Sequence, residues 1–245
     1  MQRITLSFPF ALHPGQLPAL RVALSEVAGF ENTLFHNHLP EADKGQPRLS
    51  WDYPLIQYGI HRGRPVVNAL GAGVTALLTD LLPRLPEQLV LQGRSYSLTG
   101  YQLENGTVAM KHYAQPEAFG LVRWVALNAA NYAAWKQADG NEPSRMRILE
   151  AALRGHLSVM ARVLQPDQAE LALEARLVAV DQVKRIRWHG VSLVAFHAVA
   201  ASRLLPPEGL GLGRSVAFGF GSVCGPDTYY HLLGGKHVMT NQKVH

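Results

Sequence analysis

The order in which apolar periodicity changes across residues 4–101 leaves few folds open. Ile4 to Leu12 alternates as a strand does, and Pro14-Gly15 ends it. From Gln16 to Ala28, Leu17, Leu20, Val22, Leu24 and Val27 recur at roughly helical spacing, with Gly29 as the stop. Tyr53 to Ile60 reads as a strand, Arg62-Gly63 as a hairpin turn and Pro65 to Leu70 as the partner strand. Ala72 to Leu82 is a short helix halted by Pro83, and Gln88 to Tyr101 returns to strand. The sequence of elements is β-α-β-β-α-β, the split βαβ unit of a ferredoxin-like (RRM-like) domain.

The second half repeats the pattern. Phe119 to Leu127 alternates as a strand, and Ala129 to Lys136 forms a short helical turn. Asn141-Glu142-Pro143 is helix-start chemistry, with proline in the first turn. The helix should run to about Leu164, with Ile148, Leu149, Ala152, Leu153, Leu157, Met160 and Val163 as one apolar stripe. Glu170 to Arg187 and Val191 to Leu204 are strand-like runs about a turn at His189-Gly190. Ser215 to Val223 is the last strand, and a polar tail without a secondary-structure signal follows it. The reading is an α+β chain of two tandem ferredoxin-like domains, 1–112 and 113–245, divided in the polar region between Glu104 and Glu117.

With 245 residues, 47% of them hydrophobic, the chain can bury one large core or two ordinary ones. No run approaches the ~18 consecutive apolar residues of a membrane span, and the N-terminus lacks a charged leader with an apolar core. The expectation is a cytoplasmic protein without a membrane partner. One cysteine, Cys224, excludes an internal disulfide and a multi-cysteine zinc site. The formal charge is +5 although only 17% of residues are charged, which leans towards a polyanionic partner. Clustering strengthens that leaning: Lys184, Arg185 and Arg187 lie together, as do Arg145 and Arg147 at the start of the long helix. Each group is a candidate for phosphate contact, with a solvated charge cluster as the alternative.

Near the C-terminus, Gly209-Leu210-Gly211-Leu212-Gly213-Arg214 and Gly219-Phe220-Gly221 alternate glycine with apolar residues around a basic turn. Glycine at every second position removes side chains from one face, so that a foreign backbone could approach and main-chain N–H groups could meet an anion. Gly211, Gly213, Arg214, Gly219 and Gly221 are accordingly candidate RNA contacts, Arg214 through its planar fork. The alternative is a glycine-rich loop entering a closely packed strand. The run is not a dinucleotide fingerprint, which needs a strand before it and a helix after it.

Between the first helix and the second strand stands Phe35-His36-Asn37-His38, then a polar loop with Lys44 and Arg48, then Tyr53. In extended backbone, residues two apart point the same way, so His36 and His38 could face one pocket. Two imidazoles with pKa near 6.5 can divide general-base and general-acid work near neutral pH. That division suits RNA cleavage by a ribose 2′-hydroxyl, with Tyr53, Lys44 and Arg48 as nearby donors to the phosphorane-like charge. Solvated loop histidines are the bland alternative. A metal pair is a third, but no third ligand is evident, and no metal or cofactor is expected.

Phe35-His36-Asn37-His38, the segment Tyr53-Pro54-Leu55-Ile56-Gln57-Tyr58, Gly63-Arg64-Pro65-Val66-Val67 and the C-terminal glycine run, in this order, resemble one subfamily of the CRISPR repeat-processing endoribonucleases, part of the repeat-associated RNA-binding superfamily. The resemblance covers most of the chain. It implies tandem ferredoxin-like domains and metal-independent cutting of repeat RNA that leaves 5′-hydroxyl and 2′,3′-cyclic phosphate ends. It places His36 and His38 on the subfamily's histidine pair and Tyr53 on an assisting tyrosine. The implied partner is CRISPR repeat RNA, and the resemblance leaves room for other CRISPR-associated subunits and for a homodimer. The same superfamily fold also serves as a non-catalytic guide-RNA-holding subunit.

Overall fold

The computed structural model of the protein describes residues 1–29, 31–36, 38–39, 48–49, 53–188 and 191–234. Strand β1 (Gln2–Ser7) leads through a 3-10 turn into helix α1 (Leu17–Ala28), which has Pro18 in its first turn and stops where Gly29 takes φ 99°. A one-turn helix α2 (Thr33–His36) follows, then a small ribbon of β2 (His38–Leu39) and β3 (Arg48–Leu49). Strands β4 (Ile56–His61) and β5 (Arg64–Leu70) form the hairpin about Arg62-Gly63, and α3 (Ala72–Ala76) continues as a π-helical turn through Leu81.

Strands β4, β5 and β1 join β8 (Gln102–Thr107) in an antiparallel sheet of order β4-β5-β1-β8. Alternate residues Ile4 and Leu6, Ile56 and Tyr58, and Val67 and Ala69 face Leu17, Leu20, Leu24, Val74, Leu77 and Leu81 from the helices. The segment read as one strand, Gln88 to Tyr101, is a separate hairpin of β6 (Gln88–Leu91) and β7 (Arg94–Ser97). The fourth strand of the sheet is β8, inside the stretch read as a polar boundary. Edge position explains the misreading: all six β8 residues are exposed, so the segment carries no apolar alternation.

The second sheet has the order β10-β11-β9-β12, built from β9 (Lys111–Trp124), β10 (Arg176–Trp188), β11 (Val191–Leu205) and β12 (Ser222–Cys224). Numbered within its own unit, each sheet runs second-third-first-fourth, so the chain is two tandem ferredoxin-like units. Helices α4 (Ala129–Gln137) and α5 (Glu142–Leu164) connect the first two strands of the second unit. Asn141 caps α5 by accepting from the Ser144 N–H, and the helix lays Leu149, Leu153, Leu157 and Met160 on Phe119, Leu121, Phe196 and Ala198. Between the third and fourth strands, where the first unit has α3, the second has the glycine-rich run and a single 3-10 turn at Val216–Phe218. Of the strand expected over 215–223 only Ser222 and Val223 are in β12, because Ser215 and Gly219 are left-handed. Three other boundaries move: β9 starts at Lys111, residues 166–174 are 3-10 helix, and Pro226–Leu232 of the expected irregular tail is a helix, α6. No helix of the described residues is long and apolar enough to cross a membrane.

Candidate active site

The histidine pair does not lie on one extended segment. His36 is the last residue of α2 and His38 the first of β2. A shared face at period two assumes extended backbone at both residues, and His36 is helical, at the helix–strand corner. His38 pairs with Leu49, and Leu39 with Arg48, which brings the backbone of Arg48 beside the corner. Asn37 and Lys44 lie outside the described residues.

What holds the corner is a residue the sequence reading passed over. Arg21 of α1 donates from Nε to the Phe35 carbonyl at 3.1 Å, and the Ser25 hydroxyl donates to the same oxygen at 3.2 Å. This carbonyl, at the end of α2 immediately before His36, has no partner within so short a helix and needs such donors. Arg21 is 8% exposed, and its guanidinium lies 4.1 Å over the Phe218 ring of the glycine-rich run. Burial pulls the guanidinium below its usual pKa, and among the described residues no carboxylate forms an ion pair with it. A signal was present in the sequence: residues 17, 21, 24 and 28 share one helix face, so Arg21 is a cation set in the buried stripe.

Most of the glycine-rich run is buried or half-buried, with contacts to residues of both units. Leu210, Leu212 and Phe220 are fully enclosed. A Cβ on Gly213 would stand 2.7 Å from the Trp124 ring, one on Gly219 would stand 2.5 Å from Leu17 and 3.0 Å from the Tyr58 carbonyl, and Gly211 lies against Val216 and the Phe220 carbonyl. Four main-chain N–H groups of the run already have acceptors within the protein. Gly211 donates to Gln57 Oε1, Arg214 to the Val125 carbonyl, Gly219 to the Val216 carbonyl and Gly221 to the Arg123 carbonyl. At Gly211, Gly213, Gly219 and Gly221 the side-chain-free space in which RNA contact was expected holds the protein's own atoms. Arg214 is half-buried beside His156, whose pKa burial, with help from that arginine, lowers to about 4.

Tyr53 belongs to the same junction. It is 6% exposed and donates its hydroxyl to the Gly211 carbonyl at 2.8 Å, while Asn68 donates to the Gly209 carbonyl at 3.4 Å. Burial pushes the phenol well above its usual pKa. The buried hydroxyl ties the first unit to the second. Tyr53→Phe should therefore destabilise the fold by about 1–3 kcal/mol through the orphaned carbonyl and leave the single-turnover cleavage rate of bound RNA unchanged. Thermal unfolding together with that rate checks it, and a hundredfold slower rate at unchanged Tm would restore a chemical role.

The basic candidates divide. Arg145 is committed internally: it pairs with Asp139 at 2.6 Å and Glu142 at 3.4 Å and stacks 4.2 Å over Trp135, so it fastens the start of α5 to α4. These contacts occupy the guanidinium expected to meet phosphate. Arg147 is exposed and donates to Ser144. Lys184, Arg185 and Arg187 are exposed on β10, the edge strand, with Arg185 and Arg187 on one face and Lys184 on the other.

Comparison with known proteins bears on this geometry as a whole. Residues 1–109 match the Cas6b N-terminal domain model and residues 112–225 the Cas6b C-terminal domain model. The crystal structure of a Cas6b superposes with a TM-score of 0.75 at 21% identity, covering 91% of this chain and 98% of that one. That of a CRISPR RNA processing endoribonuclease, Cas6b, superposes with a TM-score of 0.61 at 18% identity over the same shares. An uncharacterised protein of Methanocaldococcus jannaschii is 28% identical over 144 residues, 56% of this chain and 95% of its own.

Proposed function

The chain belongs to the Cas6b family, and from that premise we propose that it is a metal-independent endoribonuclease that cuts precursor CRISPR RNA within its repeats. The observation that carries the reading is that the two domain models match one ferredoxin-like unit each, residues 1–109 including the histidine pair and residues 112–225 including the glycine run. One imidazole of His36 and His38 takes the proton of the ribose 2′-hydroxyl. The 2′-oxygen bonds to the adjacent phosphorus as the bond from phosphorus to the 5′-oxygen breaks, and the other imidazole protonates that 5′-oxygen. The products are a 2′,3′-cyclic phosphate and a 5′-hydroxyl. Arg21 supports the reading by securing the peptide that precedes His36, and the exposed Arg147, Lys184, Arg185 and Arg187 supply cations for the RNA backbone.

A repeat RNA carrying 2′-deoxyribose at the scission site should be bound and left uncut, while the all-ribose RNA is cut at the same rate with and without a chelator. Cleavage of the deoxy RNA overturns the mechanism, and chelator sensitivity overturns its metal independence. Binding without cutting across a pH series would instead identify a subunit that holds guide RNA.

A further inference from the structure

On the outer face of the second sheet a polar row lies between two apolar clusters. On β11, Ala195 packs with Val125 and Phe220 near the glycine-rich run, and Val199 packs with Cys224 and Tyr229 beneath α6. Between them on the same face is His197, 4% exposed, and neither ring nitrogen has a hydrogen-bond partner. Buried polar atoms are nearly always paired, so an imidazole with two orphaned nitrogens calls for an explanation.

Both neighbouring strands bulge at this row. On β9, Val122 and Arg123 together oppose His197, because Trp124 pairs with Phe196 and Leu121 with Ala198. On β10, Asp181 is the extra residue between Val180, which pairs with Ala198, and Gln182, which pairs with His197. Bulges re-aim side chains and gather beside functional sites. The β9 bulge holds Arg123 at φ 54°, strained for a side-chain-bearing residue, and lays its guanidinium 4.5 Å over the Phe220 ring. Among the described residues Arg123 has no carboxylate in an ion pair. Lys184 is exposed on the same face of β10, and the one acid at the row, Asp181, is engaged by the Tyr229 hydroxyl at 2.6 Å.

We infer that Arg123, His197 and Lys184 form a binding site for one phosphate of the RNA backbone, apart from the histidine corner. The inference rests on the proposed reading of the chain as a repeat-RNA nuclease. All three groups are donors: a planar fork, a neutral imidazole N–H and an ammonium. Burial, with Lys184 and Arg123 nearby, lowers the His197 pKa to about 4, so at neutral pH it donates as the uncharged ring. The site takes its phosphate when the long Arg123 side chain swings from the Phe220 ring onto the anion and opens the imidazole to it. Phe218 of the same turn lies under Arg21, so the run carries one face toward the His36 corner and the other toward this site.

The test uses the full chain and a labelled RNA of one repeat with 2′-deoxyribose at the scission site. Arg123→Gly removes the guanidinium and suits the left-handed backbone, and His197→Phe removes two orphaned nitrogens at similar volume, so both variants should fold. Arg123→Gly should weaken binding roughly tenfold and flatten the dependence of log K on log salt by about 0.7. His197→Phe should weaken binding severalfold with the slope unchanged and Tm no lower. Wild-type affinity and slope in both variants would overturn the site while the nuclease reading stands. A wild-type protein that neither binds nor cuts repeat RNA overturns both. A response of the His197 ring resonances to inorganic phosphate but not to the RNA would assign the site to a free anion and overturn the inference.

Discussion

His36→Ala/His38→Ala should lose cleavage of repeat RNA altogether while keeping the RNA bound. A general acid or base contributes on the order of 10²–10⁴-fold, and two that serve one displacement are lost largely as a unit. The double variant should therefore fall to the level of uncatalysed RNA cleavage within the time of the assay. Affinity should persist because phosphate contact by cations dominates RNA binding, and Arg147, Lys184, Arg185 and Arg187 stand exposed on α5 and β10. Single-turnover cleavage and a mobility-shift titration on the same RNA separate the two quantities. A double variant that cuts within about tenfold of wild type removes the histidines from the chemistry. The single variants over a pH series then divide acid from base, since loss of one limb of a bell-shaped profile identifies the partner that remains.

Gly221→Ala should be the most damaging single-methyl substitution among the described glycines. Gly221 has φ 71°, and a Cβ there would fall on the Leu212 carbonyl oxygen, which sits directly behind it. The left-handed backbone alone costs an alanine about 1–2 kcal/mol. The overlap is with main chain rather than a flexible side chain, so the strand-like pairing of Leu212 and Gly221 must part: the Leu212 N–H donates to the Gly221 carbonyl at 2.8 Å, and the Gly221 N–H to the Arg123 carbonyl at 3.0 Å. A loss of at least about 3 kcal/mol is expected, which for a chain of this size lowers Tm by roughly 6–12 °C. Calorimetry checks it. If the glycine served RNA approach instead, the alanine variant would melt normally and bind RNA weakly, and that outcome would reverse the packing role.

The fold was legible in the first hundred residues because half-buried strands and amphipathic helices leave opposite periodicities. The hairpin at Arg62-Gly63 and the stop at Gly29 fell where backbone chemistry requires them. Legibility failed where burial was absent or shared. Strand β8 is exposed throughout and showed no alternation, and the hairpin of β6 and β7 was taken for the fourth strand because it alternates as well. Arg145 and Arg147 are two residues apart and chemically identical. Only the fold shows one clamped by Asp139, Glu142 and Trp135 and the other facing solvent.

What the chain order determined by itself is the pair of ferredoxin-like units and the residue types gathered at their ends, because periodicity, turn chemistry and motif order are local properties. What tertiary structure alone decided is the use of each group. The glycines look identical in sequence whatever lies beside them, and only three-dimensional packing shows the protein's own atoms there. Tyr53 became a tie to Gly211, Arg21 a support for the peptide before His36, and His197 a buried ring between two bulges. Each depends on partners from 14 to more than 150 residues away, and no local pattern in a sequence records which distant atoms a side chain will meet.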